Sequence, residues 1–174
     1  MPKISEEKSI CVIFLCTGNA ARSVMGGVIT RAHDVDVEVI TAGTHVIERM
    51  PVSWRTRDAL ATIGLSPDGH RSYQLRPEDA QRADLVVAMA GEHVNYMRRV
   101  HPEAAERTVT LKRLERDLAA DPSDLRERIS ALGLMDVVLE PWEDVVDPAG
   151  GDLEVFSACA HEINDLLMEV LPRL

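Results

Sequence analysis

Ile10-Cys11-Val12-Ile13-Phe14-Leu15-Cys16-Thr17-Gly18-Asn19-Ala20-Ala21-Arg22-Ser23 passes from an apolar run through a short polar loop into a helical pattern. Up to Leu15 the run is apolar at every position, whereas a half-exposed strand would alternate. That is the pattern of a strand covered on both faces in a parallel sheet. Gly18 and Asn19 accept positive φ at low cost, which suits a tight loop. From Ser23 onward, Val24, Met25, Val28, Ile29 and Ala32 recur at helical spacing, with Ser23 as the candidate N-cap. The unit reads strand, tight loop, helix.

The same alternation continues along the rest of the chain. A second strand is expected over residues 35–42, ending at Gly43, and a helix over 55–63 closed by Gly64. Residues 85–89 read as a third buried strand, followed by a helix over 92–100 that Pro102 ends. A short fourth strand is expected over 108–111. Ile163, Leu166, Leu167, Val170 and Leu171 mark the apolar face of a closing helix over 158–171. Strands alternating with helices predict an α/β three-layer sandwich: a central four-stranded parallel sheet, helices on both faces, and the loop after the first strand. The charged segment 115–140 reads as one or two exposed helices inserted before the Pro141-Trp142 turn.

At 174 residues and 45% hydrophobic content, the chain suits one domain over residues 1–174. The longest apolar run, Ile10–Cys16, is far short of the ~18 residues of a membrane span, so no membrane association is expected. Met1-Pro2-Lys3-Ile4-Ser5-Glu6-Glu7 lacks a basic start before an apolar core, so no secretory signal is read and the cytoplasm is the expected compartment. The formal charge of −10 argues against nucleic acid as a partner, and any bound anion must be held by a strong local site. Cys11, Cys16 and Cys159 form no pairing framework, and no Cys/His spacing resembles a metal site; no metal or cofactor is expected.

The loop carries the chemistry. Backbone N–H groups curled through Thr17, Gly18, Asn19, Ala20, Ala21, Arg22 and Ser23, with those of the first helical turn, can converge on a tetrahedral oxyanion. Arg22 adds a planar fork that grips two oxygens. Cys16, in the same positive field, is placed to attack a bound phosphoryl group as a thiolate, giving a cysteinyl-phosphate. Ser23 can donate to that sulfur when it leaves. A proton donor is also needed, and Asp147, biased toward extended backbone by Pro148, is the candidate general acid. Glu143, Asp144 and Asp152 compete for that role.

Cys-Thr-Gly-Asn-x-x-Arg-Ser after an apolar strand, with Asp147-Pro148 before the last helix, resembles the low-molecular-weight protein tyrosine phosphatases. Thr41-Ala42-Gly43-Thr44, His70-Arg71-Ser72 with Leu75, the stretch 83–89 and the closing helix extend the likeness over most of the chain. The resemblance implies a metal-free, two-step phosphomonoesterase: Cys16 attacks, Arg22 and the loop hold phosphate, and Asp147 protonates the leaving phenol and then activates water. It also implies a polar network of Asn19, Ser23, Thr41 and His70 under the loop. The expected partners are a phosphotyrosine-bearing protein or a small phosphate ester, with inorganic phosphate or another oxyanion in the loop.

Four positions depart from the family pattern. Ala21 stands where a second cysteine usually precedes the arginine, so the protective disulfide is missing. Ala20 replaces the residue that separates tyrosine-directed from arginine-phosphate-directed members. Ala149-Gly150-Gly151 replaces the aromatics that often wall the cleft, and Val24 replaces a proline. Trp54 and Trp142 are candidates for either rim or packing, and residues 45–50 for substrate contact. Two other readings follow from the same loop: an arsenate reductase, which needs two further cysteines that residues 89–100 lack, or a catalytically weak oxyanion-binding regulatory module.

Overall fold

The computed structural model describes residues 8–174; the N-terminal stretch read above as carrying no secretory signal lies outside them. Strand β1 spans Ile10–Cys16, β2 Val37–Gly43, β3 Leu85–Ala88 and β4 Thr108–Thr110. They form one sheet in the order β2-β1-β3-β4, with every pairing parallel. Helix α1 spans Arg22–Arg31, α2 Trp54–Ala61, α3 Pro77–Arg82, α4 Gly91–Val100, α5 Leu111–Asp117, α6 Leu125–Ser130 and α7 Leu153–Val170.

The unbroken run in β1 has its explanation in the core. Val12, Phe14 and Cys16 join the cluster formed with α1, α2, α5 and α7, while Ile13 and Leu15 point to the opposite side. There they meet Leu75, Ala80 of α3, Met97 of α4 and Ala104. With both faces covered, no position in the strand tolerates a polar side chain. Ala42, Ala80, Ala83 and Ala104 supply much of that second face.

The topology decides where a site can form. The chain leaves β1 to pair β2 on one side, then crosses to β3 on the other. A crevice opens at the carboxyl end of β1, where the connections diverge, and it is there that ligands bind in open parallel sheets. Cys16 is the last residue of β1 and lies opposite Gly43, the last of β2.

Three expectations change. Ser23 is not an N-cap: α1 begins at Arg22, Ala21 holds the cap position without a side-chain cap, and the Ser23 hydroxyl is engaged inside the loop. Residue 111 begins α5 instead of ending a strand, because the Thr110 hydroxyl caps Arg113 N–H. The segment 115–140 is less exposed than expected, since Leu125 and Ile129 of α6 and Leu134 are buried in the same cluster as β1. The sequence pattern also gave no sign of α3, whose six residues are too few for periodicity to show. No helix among the described residues is long and apolar enough to cross a membrane.

Candidate active site

The loop between β1 and α1 is held by its carbonyls. Cys16 and Thr17 carbonyls accept from the backbone N–H groups of Thr44 and His45, at 2.9 and 3.0 Å. The Asn19 carbonyl accepts from His70 Nε2 at 3.0 Å, and the Ala20 carbonyl from Thr56 Oγ1 at 2.9 Å. The Ala21 carbonyl accepts from Met25 N–H in the first turn of α1. Every peptide here is trans, so each carbonyl drawn outward turns the next N–H inward. The amides of Thr17, Gly18, Ala20, Ala21 and Arg22 therefore face the hollow of the loop, as an oxyanion requires.

Asn19 makes the bend. Its φ is 50°, a left-handed conformation that asparagine tolerates better than most residues. Its side chain fixes the position twice: Oδ1 accepts from Tyr73 N–H and Nδ2 donates to Ser23 Oγ, both at 2.9 Å. Because Ser23 Oγ accepts that bond, its own hydrogen is free for Cys16 Sγ, 2.9 Å away. Cys16, Asn19 and Ser23 thus form one buried chain under the loop. His70 closes it, donating from Nε2. Burial, reinforced by the charges of Arg31 and Arg71, lowers its pKa, which keeps the ring neutral. Thr41 does not join: its methyl packs toward Gly27 of α1, and no side-chain hydrogen bond links it to the loop among the described residues.

A residue the sequence reading passed over completes the first turn. His93 is 1% exposed, and its Nδ1 accepts the Ala90 N–H at the start of α4. The proton therefore sits on Nε2, which donates to Thr17 Oγ1 at 2.9 Å. Burial, then the nearby Arg22 charge, pushes its pKa down to about 3. His93 at the third position of a helix that follows a strand was the available signal. Thr56, in the first turn of α2 after the Ser53 cap, gave none.

Arg22 is 3% exposed and links the loop to the acid segment. Nη1 donates to the Val145 carbonyl at 2.9 Å, and Nη2 lies 3.6 Å from Asp147 Oδ2. The four competing acids are separated by their partners. Glu143 is fully buried, bound by both Nε and Nη2 of Arg113 at 2.6 Å, by Thr110 Oγ1 and by Glu140 N–H. Asp144 accepts the Gly91 N–H and caps α4, and Asp152 caps α7. Asp147 alone opens onto the loop. The Ala149 N–H donates to its Oδ1 at 3.0 Å, leaving Oδ2 toward the guanidinium.

Between these groups lies a cleft of about 270 Å³, with Cys16 and Arg22 at its base. Ser53 and Thr56 bound one side, Asp147 and Ala149 another, and the ring of Phe156 supplies an aromatic surface from α7. Trp142 is elsewhere, with the guanidinium groups of Arg113 and Arg116 over its ring at 5.2 and 4.3 Å. Trp54 starts α2 beside Ser53 and is half exposed. Residues 45–50 are pinned to the 72–74 segment through Ser72 and Gln74. Among the remaining thiols, burial pushes Cys159 up to about 12 and raises Cys11.

Comparison with known proteins converges on one family. A sequence model described as low molecular weight phosphotyrosine protein phosphatase matches residues 11–127. The low molecular weight protein-tyrosine-phosphatase Etp of Escherichia coli K12 is 32% identical over 112 residues, 64% of this chain and 76% of that protein. A protein-arginine-phosphatase of Geobacillus stearothermophilus is 29% identical over 164 residues, 94% of this chain and 95% of its own length. The crystal structure of a low molecular weight protein tyrosine phosphatase from T. tengcongensis superposes with a TM-score of 0.74 at 32% identity, covering 95% of this chain and all of the other.

Proposed function

The chain belongs to the low molecular weight phosphotyrosine protein phosphatase family, and from that premise we propose that Cys16, Arg22 and Asp147 are its catalytic residues and phosphotyrosine in proteins its substrate. The single observation that carries the reading is the set of loop carbonyls bonded outward around Cys16, which turns the amides toward the hollow, with Asp147 Oδ2 3.6 Å from Arg22 Nη2.

Bound phosphate is held by the amides of Thr17, Gly18, Ala20, Ala21 and Arg22 and by the Arg22 guanidinium. The Cys16 thiolate attacks phosphorus; the S–P bond forms as the O–P bond to the leaving phenol breaks. Asp147 passes its proton to that oxygen, so the phenol leaves neutral. The resulting carboxylate then takes a proton from water, whose oxygen attacks phosphorus on the cysteinyl-phosphate. Sulfur departs as thiolate, stabilised by the Ser23 hydroxyl. Phosphate is released and Asp147 is again protonated. Asn19, Ser23 and His70 keep the loop curled through both steps. Thr41 has no part in this proposal.

The Phe156 ring gives a phosphorylated phenol an apolar partner that the segment after Pro148 lacks. An arsenate-reductase relay is disfavoured, because the two other thiols are buried and shifted away from the thiolate form. The test is hydrolysis of p-nitrophenyl phosphate with chelator present, in wild type and Cys16→Ser, followed by a panel of phosphotyrosine, phosphoarginine and small alkyl phosphates. Turnover lost in Cys16→Ser and fastest on phosphotyrosine is expected. Vanadate binding without turnover would make the protein an oxyanion-binding module, and preference for phosphoarginine would reassign the substrate.

A further inference from the structure

A cavity of about 590 Å³ lies behind the phosphate loop, sharing no lining residue with the Cys16 cleft. Its floor is the exposed edge strand β2 and the end of α1; its walls are residues 66–71 and α3. The volume lies within the roughly 300–1,000 Å³ typical of small-molecule sites. Four cationic or ionisable groups open into it: Arg31, His70, Arg71 and Arg82.

Their partners divide the cavity into two ends. Arg82 is neutralised by both oxygens of Glu38, and the Asp79 carboxylate beside it accepts the Tyr73 hydroxyl at 2.6 Å. The other end is uncompensated. Arg31 donates to the Val39 carbonyl and Arg71 to the His70 carbonyl, and neither meets a carboxylate within 4 Å among the described residues. Both guanidinium charges act on His70, and burial lowers the pKa of Arg31 itself. Asp68 is on the rim, exposed, and is not among the groups acting on His70. In a chain of net charge −10 an anion is held only by a concentrated local site, and two guanidiniums without carboxylate partners opening into one cavity supply such a site. Arg57, Arg76 and Arg116 lie beside acids, and although the exposed Arg49 and Arg99 also have none within 4 Å among the described residues, Arg31 and Arg71 differ in opening into one cavity.

We propose that this rear cavity is a second anion site, which takes a phosphate-bearing ligand with several ionised oxygens between Arg31, Arg71 and His70. Arg31 and Arg71 supply forked donors. His70 spends its Nε2 proton on the Asn19 carbonyl, so the two guanidiniums hold the ionised oxygens and the neutral ring bounds the site beside them. The same imidazole touches the left-handed residue that bends the phosphate loop, so occupancy of the rear cavity biases the loop's geometry. The binding itself is independent of the catalytic reading; only the coupling rests on it.

The probe is inorganic tripolyphosphate, titrated calorimetrically into the full chain with vanadate saturating the phosphate loop. One tripolyphosphate per chain is expected, bound at least about tenfold more weakly by Arg31→Ala and by Arg71→Glu. The distant Arg116→Ala should bind like wild type. Absence of binding once vanadate is present, or equal binding by all four proteins, overturns the site. For the coupling, tripolyphosphate should change kcat for p-nitrophenyl phosphate at unchanged KM in wild type and not in Arg31→Ala. Purely competitive inhibition, equal in both, overturns the coupling, while the basal turnover in the same assay reads the catalytic proposal separately.

Discussion

The Arg22 guanidinium donates to the Val145 carbonyl at 2.9 Å, a bond that spans 123 positions of sequence. The guanidinium proposed to grip phosphate is therefore also the group that holds the Asp147 segment against the loop. Val145 is anchored on its other side by its N–H to the carbonyl of Met89, the residue after β3, at 2.7 Å, so Asp147 hangs from a segment tied both to the end of β3 and to the loop after β1.

Arg22→Lys keeps the charge but loses the fork, so it cannot serve the anion and Val145 together. We expect kcat/KM for p-nitrophenyl phosphate to fall by about 10²–10³-fold, the range found when one oxyanion donor is lost. Steady-state kinetics beside thermal unfolding checks it; a fall under tenfold in a folded variant would count against the dual role.

Asp147→Asn removes the proton while preserving shape. Loss of general acid catalysis is expected to slow phenyl phosphate by about 10²-fold or more, and 2,4-dinitrophenyl phosphate, whose leaving group needs no proton, far less. Equal loss on both substrates would take the acid role away from this residue.

His93 makes stability depend on pH. Its pKa is held at about 3 in the folded protein against about 6.5 unfolded. The unfolded chain therefore binds the extra proton first, and stability is full above pH 6.5 and declines as pH falls toward 3. The depressed His70 pulls in the same direction. Up to about 4–5 kcal/mol is at stake in His93 alone. Denaturant titration at pH 7 and pH 4.5 should show a smaller difference for His93→Gln than for wild type.

Gly43→Ala tests the contact between β2 and the loop. A methyl group there would overlap the Thr17 carbonyl and the Val46 side chain. The Thr17 carbonyl is the one held by His45 N–H, so the Gly18 amide should turn out of the hollow. We expect destabilisation of about 1–3 kcal/mol together with a rise in KM, read from a melting curve and a phosphate inhibition constant.

Thr56→Val is nearly isosteric and removes only the hydroxyl that holds the Ala20 carbonyl. The cost to folding should be about 1 kcal/mol, with a larger proportional loss in phosphate affinity, since the Ala21 amide loses its alignment. Unchanged affinity would mean the Ala20 carbonyl needs no anchor.

Much of this arrangement is legible in the sequence. The apolar run of β1, the loop bracketed by Cys16 and Arg22, and the strand–helix alternation are local patterns, set by neighbours in the chain and by the two periods of strand and helix. The same local reading misassigned Ser23, because a serine at a helix start looks like a cap whether its hydroxyl turns to the helix or, as here, to a cysteine sulfur.

Sequence alone therefore determined the sheet, the loop after its first strand and the placement of Cys16 and Arg22 at the two ends of that loop. Folding alone decided which of four acids opens onto the loop, that Thr41 packs by its methyl, and that Thr56 and His93 hold the loop from segments 36 and 76 positions away. The physical reason is that a hydrogen bond records only where two groups finish in space. Side chains as alike as Glu143 and Asp147 acquire opposite roles from the partners the folded chain brings to them.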